Sequence, residues 1–214
     1  MSQDSKRLLQ ILTAQPVVPV VAVESAGEGV SLARALVAGG IRCIEVTLRT
    51  PAAIEAIRAI VGEVPDMVCG AGTILTPKQF TEAEKAGSKF IVSPGATVEV
   101  LDAARGSDVP LLPGSATPSE MMAMLQEGYE VLKFFPAEQI GGAALLKSIA
   151  PVMPALKFCP TGGVSMKNVK DYLSLLNVLC VGGSWLAPKD KVAAGDWAGI
   201  TELAREAAGL KAAA

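Results

Sequence analysis

The stretch VPLLPGSATPSEMMAMLQEGYEVLKFFP, residues 109–136, holds one complete strand–helix–strand unit. Residues 109–112 form a short apolar run that ends at Pro113-Gly114. Thr117 then offers a side-chain oxygen to an opening helix, and Pro118 takes an early position that the first helical turn tolerates. The helix predicted over 118–127 stops at Gly128, a residue suited to a left-handed C-terminal cap. A second apolar run over 131–135 follows, carries one ammonium group at Lys133, and is cut off by Pro136.

The same punctuation extends in both directions. Strand-like runs occupy 17–23, 41–47, 67–71, 90–93, 109–112, 131–135, 156–159 and 178–181. Helical patterns lie between and after them at 27–38, 51–61, 77–86, 97–104, 118–127, 141–150, 166–174 and 197–208. A leading helix over 5–14 places Leu8, Leu9, Ile11 and Leu12 on or near one face. Helices end at Gly39-Gly40, Gly87 and Gly128, and Thr-Pro pairs at 50–51, 76–77 and 117–118 open three of them. Eight β/α units in 214 residues predict an α/β fold, a (β/α)8 TIM barrel with an N-terminal helix, built as one domain over 1–214. A doubly wound open sheet is the alternative. Its dinucleotide fingerprint is incomplete, because Gly70-Ala71-Gly72 runs on into Thr73-Ile74-Leu75 without the third glycine.

Composition narrows the function. Half the residues are hydrophobic but only 4% are aromatic, so the core is aliphatic. Nineteen basic against 21 acidic residues leave a net charge of −2, which gives no electrostatic case for nucleic acid or an anionic membrane. A small molecule is the expected partner. Lys6-Arg7 precedes Leu8-Leu9, but Gln10, Gln15, Pro16 and Pro19 interrupt the apolar segment a signal peptide needs. The four cysteines, Cys43, Cys69, Cys159 and Cys180, are widely spaced within or beside apolar runs and read as buried thiols in a reducing compartment. A cytoplasmic location is expected. The chain has no histidine, which removes the commonest general base and every His-based metal site. No metal and no cofactor are expected, and the chemistry must run on Lys, carboxylates, hydroxyls and backbone amides.

In a β/α barrel the reacting groups gather where strands end and βα loops begin. Lys133 stands at that end of its strand, whereas Lys89 and Lys157 open theirs and fall at the opposite face. An amine among apolar and aromatic neighbours has its charged form disfavoured, which favours a nucleophile that can form a Schiff base. Glu45 and Arg49 end the second strand. A carboxylate near such a lysine can carry protons, and a guanidinium can hold a substrate carboxylate; a salt bridge between the two is the structural alternative. Thr73 follows the third strand, Ser93-Pro94-Gly95 the fourth and Pro113-Gly114 the fifth. Thr161-Gly162-Gly163 follows the seventh strand and Gly182-Gly183-Ser184 the eighth, the two loops that often cradle phosphate in this fold.

Taken in order, E-V-T-L-R-T (45–50), G-A-G-T (70–73), S-P-G (93–95), K-F-F-P-A-E (133–138), C-P-T-G-G (159–163) and G-G-S-W-L (182–186) resemble the 2-keto-3-deoxy-6-phosphogluconate aldolase family, whose members often also act on 4-hydroxy-2-oxoglutarate. The resemblance implies a class I carbon–carbon lyase of the Entner-Doudoroff pathway, metal-free and assembled as a homotrimer. It further implies that Lys133 forms the Schiff base and Glu45 transfers protons. Arg49 and Thr73 would bind the pyruvyl carboxylate, and Thr161, Gly162, Gly163, Gly183 and Ser184 would line the phosphate end. Two other functions fit a barrel of this kind. One is a phosphosugar isomerase or epimerase with Glu45 as base and Lys133 as electrostatic stabiliser; the other is a non-catalytic barrel that binds phosphometabolites.

Overall fold

A computed structural model describes residues 5–210. Strand β1 (Val17–Val21) is followed in the chain by β2 (Cys43–Thr47), β3 (Val68–Gly72), β4 (Ile91–Val92) and β5 (Leu111–Leu112). Then come β6 (Gly114–Ser115), β7 (Val131–Phe134), β8 (Lys157–Pro160) and β9 (Val181–Gly183). All ladders are parallel. One runs in the order β5-β4-β3-β2-β1-β9 and the other in the order β6-β7-β8. The last strand returns to the first, with Val17 opposite Val181 and Pro19 opposite Gly183, so the open-sheet alternative fails. Strands β5 and β6 are two halves of the fifth barrel strand, parted at Pro113, which has no N–H to give a ladder. Two isolated bridges, Phe158 to Val178 and Thr161 to Gly182, close the seam between β8 and β9.

The helices alternate with the strands. They are α1 (Ser5–Thr13), α2 (Ala26–Ala38), α3 (Ala53–Glu63), α4 (Pro77–Lys85) and α5 (Val98–Arg105), then α6 (Pro118–Gln126), α7 (Gly142–Ile149), α8 (Val169–Leu173), α9 (Lys189–Ala193) and α10 (Trp197–Ala208). Thr76 and Thr117 cap α4 and α6 as their Thr-Pro pairs suggest, and Thr117 with Glu120 completes a reciprocal capping box. Thr50 does not cap α3. Its hydroxyl donates to the Val23 carbonyl at 2.6 Å, and the helix begins later, after Ala52 and with no side-chain cap. Gly40, Gly87 and Gly128 adopt positive φ past their helix ends, where a side chain would be strained.

Two apolar cores result from the alternation of side chains along each strand. Ile44, Val46, Cys69 and Ala71 face outward and pack against Leu36, Ile57, Ile60 and Phe80 of the helical layer. Val18, Cys43, Phe90, Val92, Leu112, Val131, Cys159 and Cys180 form a separate cluster inside the barrel. Leu8 and Leu12 of α1 join that inner cluster, 3% and 0% exposed, beside Cys43 and Val131, the first residues of their strands. Helix α1 therefore plugs the N-terminal mouth. All four cysteines are free and buried; Cys159 and Cys180 approach to 3.6 Å, and burial pushes the Cys69 thiol up to about 12. Among the described residues no helix is long and apolar enough to cross a membrane.

Candidate active site

Glu45 and Lys133 lie 88 residues apart in the chain and meet inside the barrel. Each sits two positions past an inner-core residue of its own strand, Cys43 or Val131, so the period of two turns both side chains inward. Lys133 Nζ lies 3.3 Å from Glu45 Oε1, and the two residues are only 4% and 3% exposed. Gly72 makes room for this pair, since a Cβ there would overlap the Glu45 carboxylate. The same ammonium lies 5.3 Å from the centroid of the Phe135 ring, two residues further along the chain. A buried ion pair is seldom a gain in stability over apolar side chains of like volume. What it brings together is a carboxylate, which can accept a proton, and an amine, which is nucleophilic only when neutral.

At the rim, Arg49 and Thr73 come together rather than Arg49 and Glu45. Arg49 Nε donates to Thr73 Oγ1 at 3.3 Å. Thr73 has φ 60°, the one positive value outside glycine among the described residues. For a β-branched residue that conformation is strained, and such strain concentrates at ligand sites.

A cavity of about 280 Å³ opens beside them, lined by Arg49 and by Thr161, Gly162, Gly163, Gly183 and Ser184 from the two glycine-bearing loops. The carbonyls of the first loop are all engaged. Thr161 O accepts from Ala137 N at 2.8 Å, Gly162 O from Glu138 N at 3.1 Å and Gly163 O from Asn168 Nδ2 at 3.1 Å. The amide N–H groups of Gly162, Gly163 and Ser184, by contrast, have no acceptor among the described residues. Donors left open on a cavity wall, with the Ser184 hydroxyl beside them, are what an oxyanion needs, while the Thr161 hydroxyl donates to the Cys159 carbonyl at 3.4 Å.

Phe135, Val20 and Val164 also line the cavity and were not singled out from the sequence. The alternation Val131, Lys133, Phe135 carried the signal for the first of these. The loops at Ser93-Pro94-Gly95 and Pro113-Gly114 do not line the cavity; they pack on each other, Gly114 against the Pro94 carbonyl. Lys157 donates to the Leu176 carbonyl at 3.0 Å from the opposite end of its strand, and Lys89 is exposed, so neither competes with Lys133. Among the described residues no group of three or more Cys, Asp or Glu side chains is arranged to hold a metal ion.

The family model described as KDPG and KHG aldolase matches residues 8–203. The chain belongs to the KDPG and KHG aldolase family. The KHG/KDPG aldolase of Escherichia coli (strain K12) is 52% identical over 197 residues, 92% of each chain. Among solved structures, the KDPG aldolase of Legionella pneumophila superposes with a TM-score of 0.92 at 46% identity, covering 94% of this chain and 98% of that one. In that crystal, pyruvate was captured at low pH as a covalent carbinolamine intermediate. The 2-keto-3-deoxy-6-phosphogluconate aldolase of Zymomonas mobilis ZM4, solved with 3-phosphoglycerate, gives a TM-score of 0.90 at 46% identity, covering 95% of this chain and 96% of that one. Membership of the KDPG and KHG aldolase family gives the Lys133–Glu45 pair and the open amides a common context.

Proposed function

We propose that the protein is a class I aldolase that cleaves 2-keto-3-deoxy-6-phosphogluconate to pyruvate and glyceraldehyde 3-phosphate, and 4-hydroxy-2-oxoglutarate to pyruvate and glyoxylate. The observation that carries this reading is the buried 3.3 Å contact between Lys133 Nζ and Glu45 Oε1 at the productive ends of their strands. A lysine so placed has a base at hand and the Phe135 ring 5.3 Å away. The carbinolamine trapped in the Legionella pneumophila relative is the first covalent species such a lysine would form with pyruvate.

The steps follow from these positions. Glu45 takes the proton of Lys133, and the neutral amine attacks the C2 ketone to give a carbinolamine. Glu45 returns that proton to the carbinolamine hydroxyl, and loss of water leaves an iminium, an electron sink for the C3–C4 bond, with Glu45 again a carboxylate. As that bond breaks, the C4 hydroxyl gives its proton to Glu45, directly or through a water, and the aldehyde departs. Glu45 passes the proton it took from the C4 hydroxyl to C3 of the remaining enamine, and hydrolysis of the resulting iminium frees pyruvate. Arg49 and Thr73 hold the carboxylate beside C2, and the open amides of Gly162, Gly163 and Ser184, with Thr161 and the Gly183 backbone, receive the phosphate.

The described barrel spans residues 5–210, and we read the chain as one domain that works as a homotrimer in the cytoplasm. Leu75 before α4, Val98 at the start of α5 and Met122 midway along α6 are 55%, 67% and 53% exposed, apolar surface that suits contact with further copies. The four free thiols suit a reducing compartment. The decisive experiment is borohydride reduction in the presence of pyruvate, followed by intact mass and peptide mapping. A pyruvyl adduct on Lys133 with loss of activity supports the reading; no adduct with activity untouched overturns it in favour of an isomerase, and no adduct with no pyruvate released from either substrate overturns it in favour of a binding barrel.

A further inference from the structure

The geometry points to Tyr172 and Glu138 as positioning residues that hold the Thr161–Gly163 loop in its anion-binding shape. This rests on the phosphate reading of that loop and adds the parts that set it. Glu138 opens the 3-10 turn Glu138–Ile140 that follows β7, and its backbone N–H holds the Gly162 carbonyl. Its side chain runs beneath Gly163, where a Cβ would press into Glu138 Cβ and Cγ, and Gly163 has φ 77°. The carboxylate end accepts a hydrogen bond from the Tyr172 hydroxyl. Tyr172 is 0% exposed, and burial, with the Glu138 carboxylate adding to it, pushes its phenol well above the usual range, so it stays a donor.

Helix α8 explains why these contacts act together. Asn168, its N-terminal flanking residue, and Tyr172 are four apart and share one helix face. Asn168 Nδ2 takes the Gly163 carbonyl at 3.1 Å while Tyr172 takes Glu138. The loop is thus gripped through its carbonyls from α8 and from the turn after β7, and the Gly162 and Gly163 amides are left without an acceptor among the described residues. Gly142, at the start of α7, packs over the pair; a Cβ there would lie 3.2 Å from Glu138 Oε1 and 3.4 Å from the Tyr172 hydroxyl. Neither Glu138 nor Tyr172 lines the cavity; Glu138 meets the loop at Gly162 and Gly163, and Tyr172 meets Glu138.

The test is kcat/KM for the phosphorylated six-carbon substrate and for 4-hydroxy-2-oxoglutarate, with inorganic phosphate as a competitive probe, in four variants. Tyr172→Phe removes one hydroxyl and should lower kcat/KM for the phosphorylated substrate about 3- to 30-fold, mostly through KM, and weaken inhibition by phosphate in parallel. The dicarboxylate should be unaffected. Glu138→Gln, which can still accept from Tyr172, should keep near wild-type selectivity, whereas Glu138→Ala should reproduce the loss. Equal losses on both substrates for Tyr172→Phe, or none on either, overturn the positioning role. Ser184→Ala separates the two levels. If Ser184→Ala is selective and Tyr172→Phe is not, the positioning inference fails alone; if Ser184→Ala is unselective as well, the phosphate reading of the loops fails and takes the inference with it.

Discussion

Removing Lys133 and Glu45 singly and together tests whether they work as one ionic unit. Two unit charges 3.3 Å apart attract by about 5 kcal/mol at an effective dielectric near 20. Lys133→Met leaves the Glu45 carboxylate stranded in a site only 3% exposed, and Glu45→Gln leaves an ammonium facing an amide. Loss of one partner from a buried pair costs about 3–5 kcal/mol, because the survivor keeps its desolvation penalty. The double variant removes both charges, so it should be more stable than the sum of the singles by about 2 kcal/mol or more. Urea unfolding at fixed protein concentration, with the slope m checked for constancy, gives the three values. Activity divides differently. Lys133→Met should abolish cleavage and borohydride trapping, and Glu45→Gln should lower turnover by roughly 10²–10⁴-fold. Singles that each cost under about 0.5 kcal/mol, with an additive double, would mean solvated and independent charges. The proton route from Lys133 to Glu45 would then have no basis.

Ser184→Ala removes a hydroxyl donor to a dianion, a bond worth about 1.5–3 kcal/mol, so kcat/KM for the phosphorylated substrate should fall roughly 10- to 150-fold while the dicarboxylate is spared. Arg49→Ala should impair both substrates alike, since both present an α-keto carboxylate; a selective loss would move Arg49 to the other end of the cavity. Thr73→Gly should raise KM for both substrates yet stabilise the fold by about 0.5–1 kcal/mol, because about 1–2 kcal/mol of left-handed strain outweighs the entropy of a new glycine. A destabilised Thr73→Gly protein, measured by the same urea series, would refute the strain. Prolonged EDTA treatment should leave cleavage rates unchanged, and loss of activity restored by a divalent ion would show that a metal takes part.

The barrel was legible because each unit carries its own punctuation, and continuous apolar runs with Gly and Pro at their ends need no long-range knowledge. Where local signals competed with tertiary ones, the reading slipped. The run 178–181 is apolar throughout, yet only Val178 bridges to Phe158, and the ladder to β1 starts at Val181. Thr50 looks like a cap in sequence, but the Val23 carbonyl takes its hydroxyl. Helix α9 is five residues long, too short to show a period. In the site, strand position alone pointed to Lys133, Glu45 and Arg49. The partner choices did not follow from spacing: Glu45 finds Lys133 across the barrel, not Arg49 four residues on. Glu138 and Tyr172 were invisible for the same reason, being joined 34 residues apart.

The leucines of α1 make the barrel a cup rather than a tube. Traffic therefore shares a single opening, and depth becomes a queue. On the proposed mechanism the three-carbon fragment is bonded to Lys133 in the cleavage direction, while the aldehyde lies outside it, toward the glycine loops. The aldehyde must leave first, and pyruvate cannot overtake it. Run backwards, the same cup obliges pyruvate to arrive before its acceptor, so an aldehyde offered alone can obstruct the mouth but cannot start a turnover. The covalent bond sets the order of arrivals and departures, and the closed floor leaves both fragments the same way out.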